Sequence, residues 1–127
     1  ASDDDLAWLY PDRSPVDTAR LWAGQGHHVI MTRGADGATL FTPTGDTVSV
    51  KAPVIDLVDT VGAGDSFLGA TLYGLQQRGA LGGNAEELLA KVTLDDWIDL
   101  LTLAAEVGAI TCSRAGCNPP TLAELGL

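Results

Sequence analysis

Apolar and polar positions change period several times along this chain, and each change predicts an element. Ser2-Asp3-Asp4-Asp5 precedes Leu6, Ala7, Trp8 and Leu9. A serine followed three residues later by an acid opens a helix, and acids are favourable at the positive end of its dipole. Pro11 ends that piece. Ser14-Pro15 opens a second helix, with proline suited to the first turn. Val16, Ala19, Leu21 and Trp22 mark its buried side, and Gly24 and Gly26 stop it. The period then shortens. Residues 28–32 read as a short apolar strand, 33–37 as a turn, and 38–41 and 47–50 as two further strands joined by a hairpin-like loop. Pro53 breaks the pattern ahead of the apolar run 54–58.

Residues 59–64 (Asp-Thr-Val-Gly-Ala-Gly) form a loop of small residues. A helix is expected from Asp65 to about Arg78, with Phe67, Leu68, Leu72 and Leu75 on its apolar side and Gly79 as its cap. Residues 82–85 read as loop. A second long helix begins near Thr93, ahead of Asp95 and Asp96, and carries Trp97, Ile98, Leu101, Leu103, Ala104, Ala105 and Val107. Residues 112–120 read as loop, and Thr121 with Glu124 at the capping-box position opens a last short helix. The order of elements is that of an α/β protein, without internal repeats.

Composition narrows the function classes. Acidic residues outnumber basic ones 17 to 7, a net charge of −10. That field repels phosphate backbones and argues against nucleic acid as a partner. A bound nucleotide is still compatible with it, because backbone N–H groups and a metal ion can hold phosphate locally. Apolar stretches are of helix or strand length, so no membrane span is expected, and no secretory leader is apparent. Cys112 and Cys117 lack a second Cys/His pair, so they read as free thiols of a reducing, cytoplasmic setting rather than a zinc site. The adjacent His27 and His28 read as incidental.

The most informative stretch is 59–71, Asp-Thr-Val-Gly-Ala-Gly-Asp-Ser-Phe-Leu-Gly-Ala-Thr. Gly62, Ala63 and Gly64 lack bulky side chains and stand at a helix entry, where N–H groups without intrahelical partners face a ligand. That combination binds anions, phosphate especially. Asp65 follows at once. A carboxylate beside an anion pocket repels the anion, but it is well placed to take a proton from an incoming hydroxyl. Read from the residues alone, the same run is equally a tight turn with an acid in the first helical turn.

This stretch is similar to the second signature of the PfkB (ribokinase-family) carbohydrate kinases, through Asp59, Thr60, Gly62, Ala63, Gly64, Asp65, Phe67, Gly69 and Ala70. The resemblance implies that Gly62–Gly64 form an anion hole and Asp65 the catalytic base. Three weaker motifs follow the family's order. The run 32–37 (Thr-Arg-Gly-Ala-Asp-Gly) resembles the T-x-G-x-x-G run that lines the ATP phosphates, which assigns Thr32, Gly34 and Gly37 to ATP, with Arg33 adding charge. A plain β-turn explains the same residues. Ser2 and Asp5 stand where the family has an N-x-x-E motif for magnesium and phosphate; they depart from its Asn and Glu, and helix capping explains them equally well. The loop 111–121 resembles the family's late loop beside the adenine. Carry-over from it places Asp59, Val61, Thr111, Arg114 and Gly116 at a monovalent-cation site, largely through backbone carbonyls. An adenine-side Asn of some members aligns with Ala104 and is lacking.

The resemblance implies a ribokinase-like three-layer α/β/α fold, of which residues 1–127 are the C-terminal, nucleotide-binding half. The N-terminal sugar-binding half and lid are then absent, and the chain alone is expected to be inactive. A parallel sheet cut in half would expose an apolar edge that pairs with the missing half or with a second copy as a homodimer. The implied activity is ATP-dependent phosphoryl transfer to a small sugar, fructokinase-like, with Mg2+ and potentially K+ as cofactors. Rival readings are a kinase for ribose, adenosine or tagatose phosphate, and a kinase-derived nucleotide-binding or regulatory module. A Rossmann oxidoreductase lacks its G-x-G-x-x-G unit here.

Overall fold

Four helix starts obey one rule, a cap residue followed three positions later by aspartate: Ser2/Asp5, Ser14/Asp17, Gly62/Asp65 and Thr93/Asp96. They open α1 (Asp3–Leu9), α2 (Pro15–Gly24), α3 (Ala63–Gln77) and α5 (Leu94–Cys112), with the short α4 (Ala85–Leu89) between the last two. The strands are β1 (Val29–Thr32), β2 (Ala38–Phe41) and β3 (Thr47–Val50). A computed structural model describes residues 1–127. By its internal packing the chain divides into two units, Ala1–Ala52 and Pro53–Leu127.

In the first unit the strands pair in the order β1-β2-β3, both pairs antiparallel. The parallel sheet expected from sequence is therefore not what these strands form. Their connections are short hairpins, and a hairpin joins only antiparallel neighbours. Parallel pairing is confined to one isolated bridge between Ser2 and Thr32. Alternation decides the faces. Val29, Met31 and Phe41 meet Leu6 of α1 and Ala19 and Ala23 of α2 in one core, with Trp22 packed against it. The real buried side of α2 is thus Thr18, Ala19 and Ala23, while Val16 and Leu21 are exposed. Tyr10 and Trp22 meet edge to face, and the Arg13 guanidinium lies over the Tyr10 ring.

In the second unit α3 packs along α5. The apolar spacing of α3 pointed to Leu68 and Leu72, but these are 55% and 45% exposed. The buried side is Ser66, Thr71, Gly74 and Leu75. Small residues win because the helices approach closely: a Cβ on Gly74 would stand 2.9 Å from the Leu100 Cγ. Buried hydroxyls on this seam are satisfied by their own helix, Thr71 donating to the Phe67 carbonyl and Thr111 to that of Val107. On α5 the buried side is Trp97, Leu100, Leu101, Ala104, Ala105, Val107, Ala109 and Thr111, while Ile98 is exposed. α3 ends as expected, with Gly79 left-handed and its N–H donating to the Gln76 carbonyl.

Two further expectations are corrected. Residues 82–84 are loop as expected, but Ala85 already opens α4, a short helix that the sequence did not predict. Thr121 opens a single turn rather than a helix, although its side-chain box with Glu124 forms in full. Gly126, left-handed, follows within that turn and ends it. No helix is long and apolar enough to cross a membrane, and both cysteines are free thiols.

Candidate active site

The start of α3 differs from the other long-helix starts. Ser2, Ser14 and Thr93 each accept an N–H of the first turn on a side-chain oxygen, at 3.0, 3.1 and 3.1 Å. Gly62 has no side chain with which to do so. The first-turn N–H groups of Gly64 and Asp65 have no intrahelical acceptor, and no side chain caps them. At the positive end of a helix dipole, such N–H groups are able to hold an anion.

Glycine is required at 62 for two reasons. Its φ of +77° lies in the left-handed region. A Cβ there would also stand 2.1 Å from Cys117 Sγ and 2.9 Å from its Cβ. The Ser66 hydroxyl donates to the Gly62 carbonyl at 2.7 Å and fixes the loop from the helix side. Asp65 is exposed, in the first turn, and so is Gly64. Around Gly64 and Gly69 a Cβ would meet nothing, so this end of the helix opens to solvent. An open carboxylate beside open N–H donors can take a proton while the donors hold negative charge.

The turn between β1 and β2 is a single 3-10 turn, Gly34–Asp36. The Arg33 N–H donates to the Gly37 carbonyl at 2.8 Å, and the Asp36 N–H to the Arg33 carbonyl at 3.0 Å. Gly37 has a structural reason of its own: φ is +93° and a Cβ would stand 2.0 Å from the Val50 carbonyl oxygen. Gly34 is also left-handed but faces open space. The Arg33 Nε is shielded from water and has no hydrogen-bond partner, an arrangement that an incoming anion would satisfy.

Two of the residue sets singled out in sequence are brought together within the first unit. Thr32 donates its N–H to the Ala1 carbonyl and bridges Ser2, so the start of α1 lies beside the end of β1. The Ser2 hydroxyl, however, is committed to the Asp5 N–H as a cap. No group of three or more His, Cys, Asp or Glu side chains could cage a metal. These residues fit magnesium only as an ion carried by nucleotide phosphates and water, with few protein ligands.

In the second unit Asp59 accepts the Val61 N–H at 3.0 Å on one oxygen and the Gly116 N–H at 2.9 Å on the other. Those donors, Val61 first, hold its carboxyl below the usual carboxylate range. Asp59, Val61 and Gly116 are thereby joined. Thr111 is buried at the end of α5, with its carbonyl accepting the Arg114 N–H at 3.2 Å. The Arg114 side chain pairs with Glu124 at 2.6 Å. The contact of Cys117 with Gly62 was not foreseen, since no local pattern marks a pair so far apart in the chain.

Residues 2–124 match the family model described as "pfkB family carbohydrate kinase". The chain belongs to the pfkB family of carbohydrate kinases. Its relatives include 1-phosphofructokinase of Escherichia coli K12, 45% identical over 64 residues, which are 50% of this chain and 20% of that enzyme. Among solved structures, aminoimidazole riboside kinase from Salmonella enterica, complexed with aminoimidazole riboside and an ATP analog, superposes with a TM-score of 0.70. It is 31% identical, over 91% of this chain and 35% of that one. A double mutant of fructokinase from Vibrio cholerae O395, with fructose, ADP and potassium ion bound, gives 0.70 at 25% identity, over 91% of this chain and 34% of that one. This pfkB chain therefore spans about a third of the length of those solved kinases. They share the ribokinase-like fold, and the α/β arrangement here is a partial one of that kind.

Proposed function

We propose that residues 1–127 supply the phosphate-holding and proton-transferring machinery of an ATP-dependent kinase acting on a hydroxyl of a small sugar, fructokinase-like in its substrate. They are read as the C-terminal part of one ribokinase-like domain, with the sugar-contacting half and lid supplied by further sequence. The observation that carries this is the start of α3: a left-handed glycine in place of a capping side chain, open first-turn N–H groups, and Asp65 at the third helical position.

In this reading Asp65 takes the proton as the sugar oxygen attacks the γ-phosphorus of ATP, and the bond to the ADP oxygen breaks. The N–H groups of residues 62–65 hold the charge on the transferring group. Thr32, Arg33 and Gly34 contact nucleotide phosphate, with the unsatisfied Arg33 Nε as the specific donor, and Gly37 keeps that turn in shape. Ser2 and Asp5 would lie beside the magnesium ion carried by the nucleotide phosphates, which would supply charge neutralisation there. Asp59, Val61, Thr111, Arg114 and Gly116 are the place for a monovalent cation, in keeping with the potassium in the fructokinase structure. Free thiols suit a cytoplasmic setting.

The test is phosphoryl transfer from ATP to a panel of sugars by the whole protein and by its Asp65→Asn variant. Transfer that vanishes in the variant establishes class and base. ATP binding without transfer to any sugar would replace this reading with that of a regulatory nucleotide-binding module.

A further inference from the structure

Asp59 lies outside every helix and strand, yet its carboxylate joins two stretches of chain far apart in sequence. One oxygen accepts the Val61 N–H, which closes a local turn at the mouth of the glycine loop. The other accepts the Gly116 N–H, beyond the end of α5. The next residue, Cys117, is the one whose thiol occupies the space a side chain on Gly62 would need. On the same side the N–H groups of Val58 and Asp59 both donate to the Cys112 carbonyl, at 2.9 and 3.1 Å. The loop before α3 is thus tied to the segment after α5 at its entry by backbone and at its tip by the Cys117 contact. Between these, the tie is the Asp59 side chain.

We propose that Asp59 is a positioning residue: its carboxylate clamps the Gly116–Cys117 segment onto the glycine loop and so fixes where the N–H groups at the start of α3 point. This rests on the proposed function in one respect, that those N–H groups serve the transferring phosphoryl group. The clamp requires two acceptors on one short arm. Asparagine has one and would set an NH2 group against the Gly116 N–H, donor to donor. Serine can still accept the Val61 N–H locally but cannot reach Gly116.

Residue-resolved amide exchange in the whole chain tests this with Asp59→Asn and Asp59→Ser. Exchange of the Gly116 amide should rise about tenfold in both, since a bond to a charged acceptor is lost. The amides of Leu101 and Ala104 inside α5 should keep their wild-type rates. In turnover, kcat should fall by the same factor with and without added K+ while KM for the sugar stays near its wild-type value, a split that neither loss of stability nor loss of a cation ligand would produce. The clamp is overturned if Gly116 exchanges at the wild-type rate in both variants. It is equally overturned if exchange accelerates throughout α3 and α5, which would make Asp59 a support of the whole unit. The amide measurement needs neither nucleotide nor turnover. An intact protein that transfers no phosphoryl group would therefore count against the kinase reading and leave the exchange result to decide the clamp.

Discussion

Helices α3 and α5 pack along one another and open on the same spacing, yet their first turns are built in opposite ways. At α5 the Thr93 hydroxyl accepts the Asp96 N–H, and the Asp96 carboxylate takes both the Thr93 N–H and its hydroxyl, at 3.2 and 2.7 Å. The bond from the Thr93 hydroxyl, and after it the one from the Thr93 N–H, hold the Asp96 carboxyl below the usual range. Donors and carboxylate consume one another, and nothing is left for a ligand. At α3 a glycine stands in the place of Thr93, so the hydroxyl half of that exchange cannot form. The aspartate is retained and the N–H groups stay open. A cap favours stability by closing the first turn; the uncapped start gives up that gain and keeps groups that can do chemistry.

The largest effect that would sharpen this contrast is at the aspartate. Asp65→Asn should lower kcat about a thousandfold or more, the scale of losing a positioned base together with its charge. Thermal unfolding should be nearly unchanged, because Asp65 is exposed. Wild-type turnover in that variant would remove Asp65 from the mechanism. The same change at the other helix, Asp96→Asn, should do the reverse, lowering the melting temperature and sparing kcat.

A second substitution transplants one start into the other. Gly62→Ser offers α3 a capping hydroxyl at a backbone position that opposes it, φ +77°, with Cys117 Sγ 2.1 Å from the new Cβ. Strain of that kind costs about 1–3 kcal/mol, and the displaced N–H groups should lower kcat by about a hundredfold. Cys117→Gly in the same chain should recover part of the stability, because it removes the collision and leaves only the backbone strain. Denaturant unfolding of the two single variants and the double closes the cycle. Strict additivity would show that the thiol does not press on the loop.

Smaller again is Thr93→Ala. It should cost about 1 kcal/mol in denaturant unfolding, the usual value of a threonine cap, with turnover untouched. Equal loss of turnover would mean that α5 cannot be altered without moving the start of α3.

What the sequence disclosed follows from how local each cause is. The cap-and-acid starts of α1, α2 and α5 and the three strands depend on residues within a turn or two, and they were readable. The glycine loop was readable as an uncapped helix entry because its cause, missing side chains ahead of the first turn, is local too. The buried side of α3 was not. Hydropathy favours Leu68 and Leu72, whereas close approach to α5 favours Ser66, Thr71 and Gly74, whose hydroxyls or missing side chains look polar or neutral in a linear pattern. Nor could spacing disclose that Asp59 meets Gly116 or that Cys117 meets Gly62, since each pair is closed by the fold. The hairpins set the strands antiparallel where the family order alone suggested a parallel sheet.

The smallest effect compares the open start of α3 with a closed box that has no helix behind it. Glu124 accepts the Thr121 N–H and hydroxyl, at 2.8 and 3.0 Å, and pairs with Arg114. The Thr121 N–H, then the bond from Arg114, depress its carboxyl to about 2. A folded value below the unfolded one means that protonation favours the unfolded chain. The stabilisation is therefore complete above the ordinary glutamate range, near pH 4.5, and fades as pH falls through about 2. Both groups are partly open to water, so the effect in melting temperature should be slight. Glu124→Gln should lower the melting temperature a little at pH 7, and the difference from wild type should close as pH falls from about 4.5 towards 2. A difference that stays constant over that window would show that the box is held by its neutral hydrogen bonds. Its charge would then contribute nothing, as at any solvent-exposed ion pair of negligible worth.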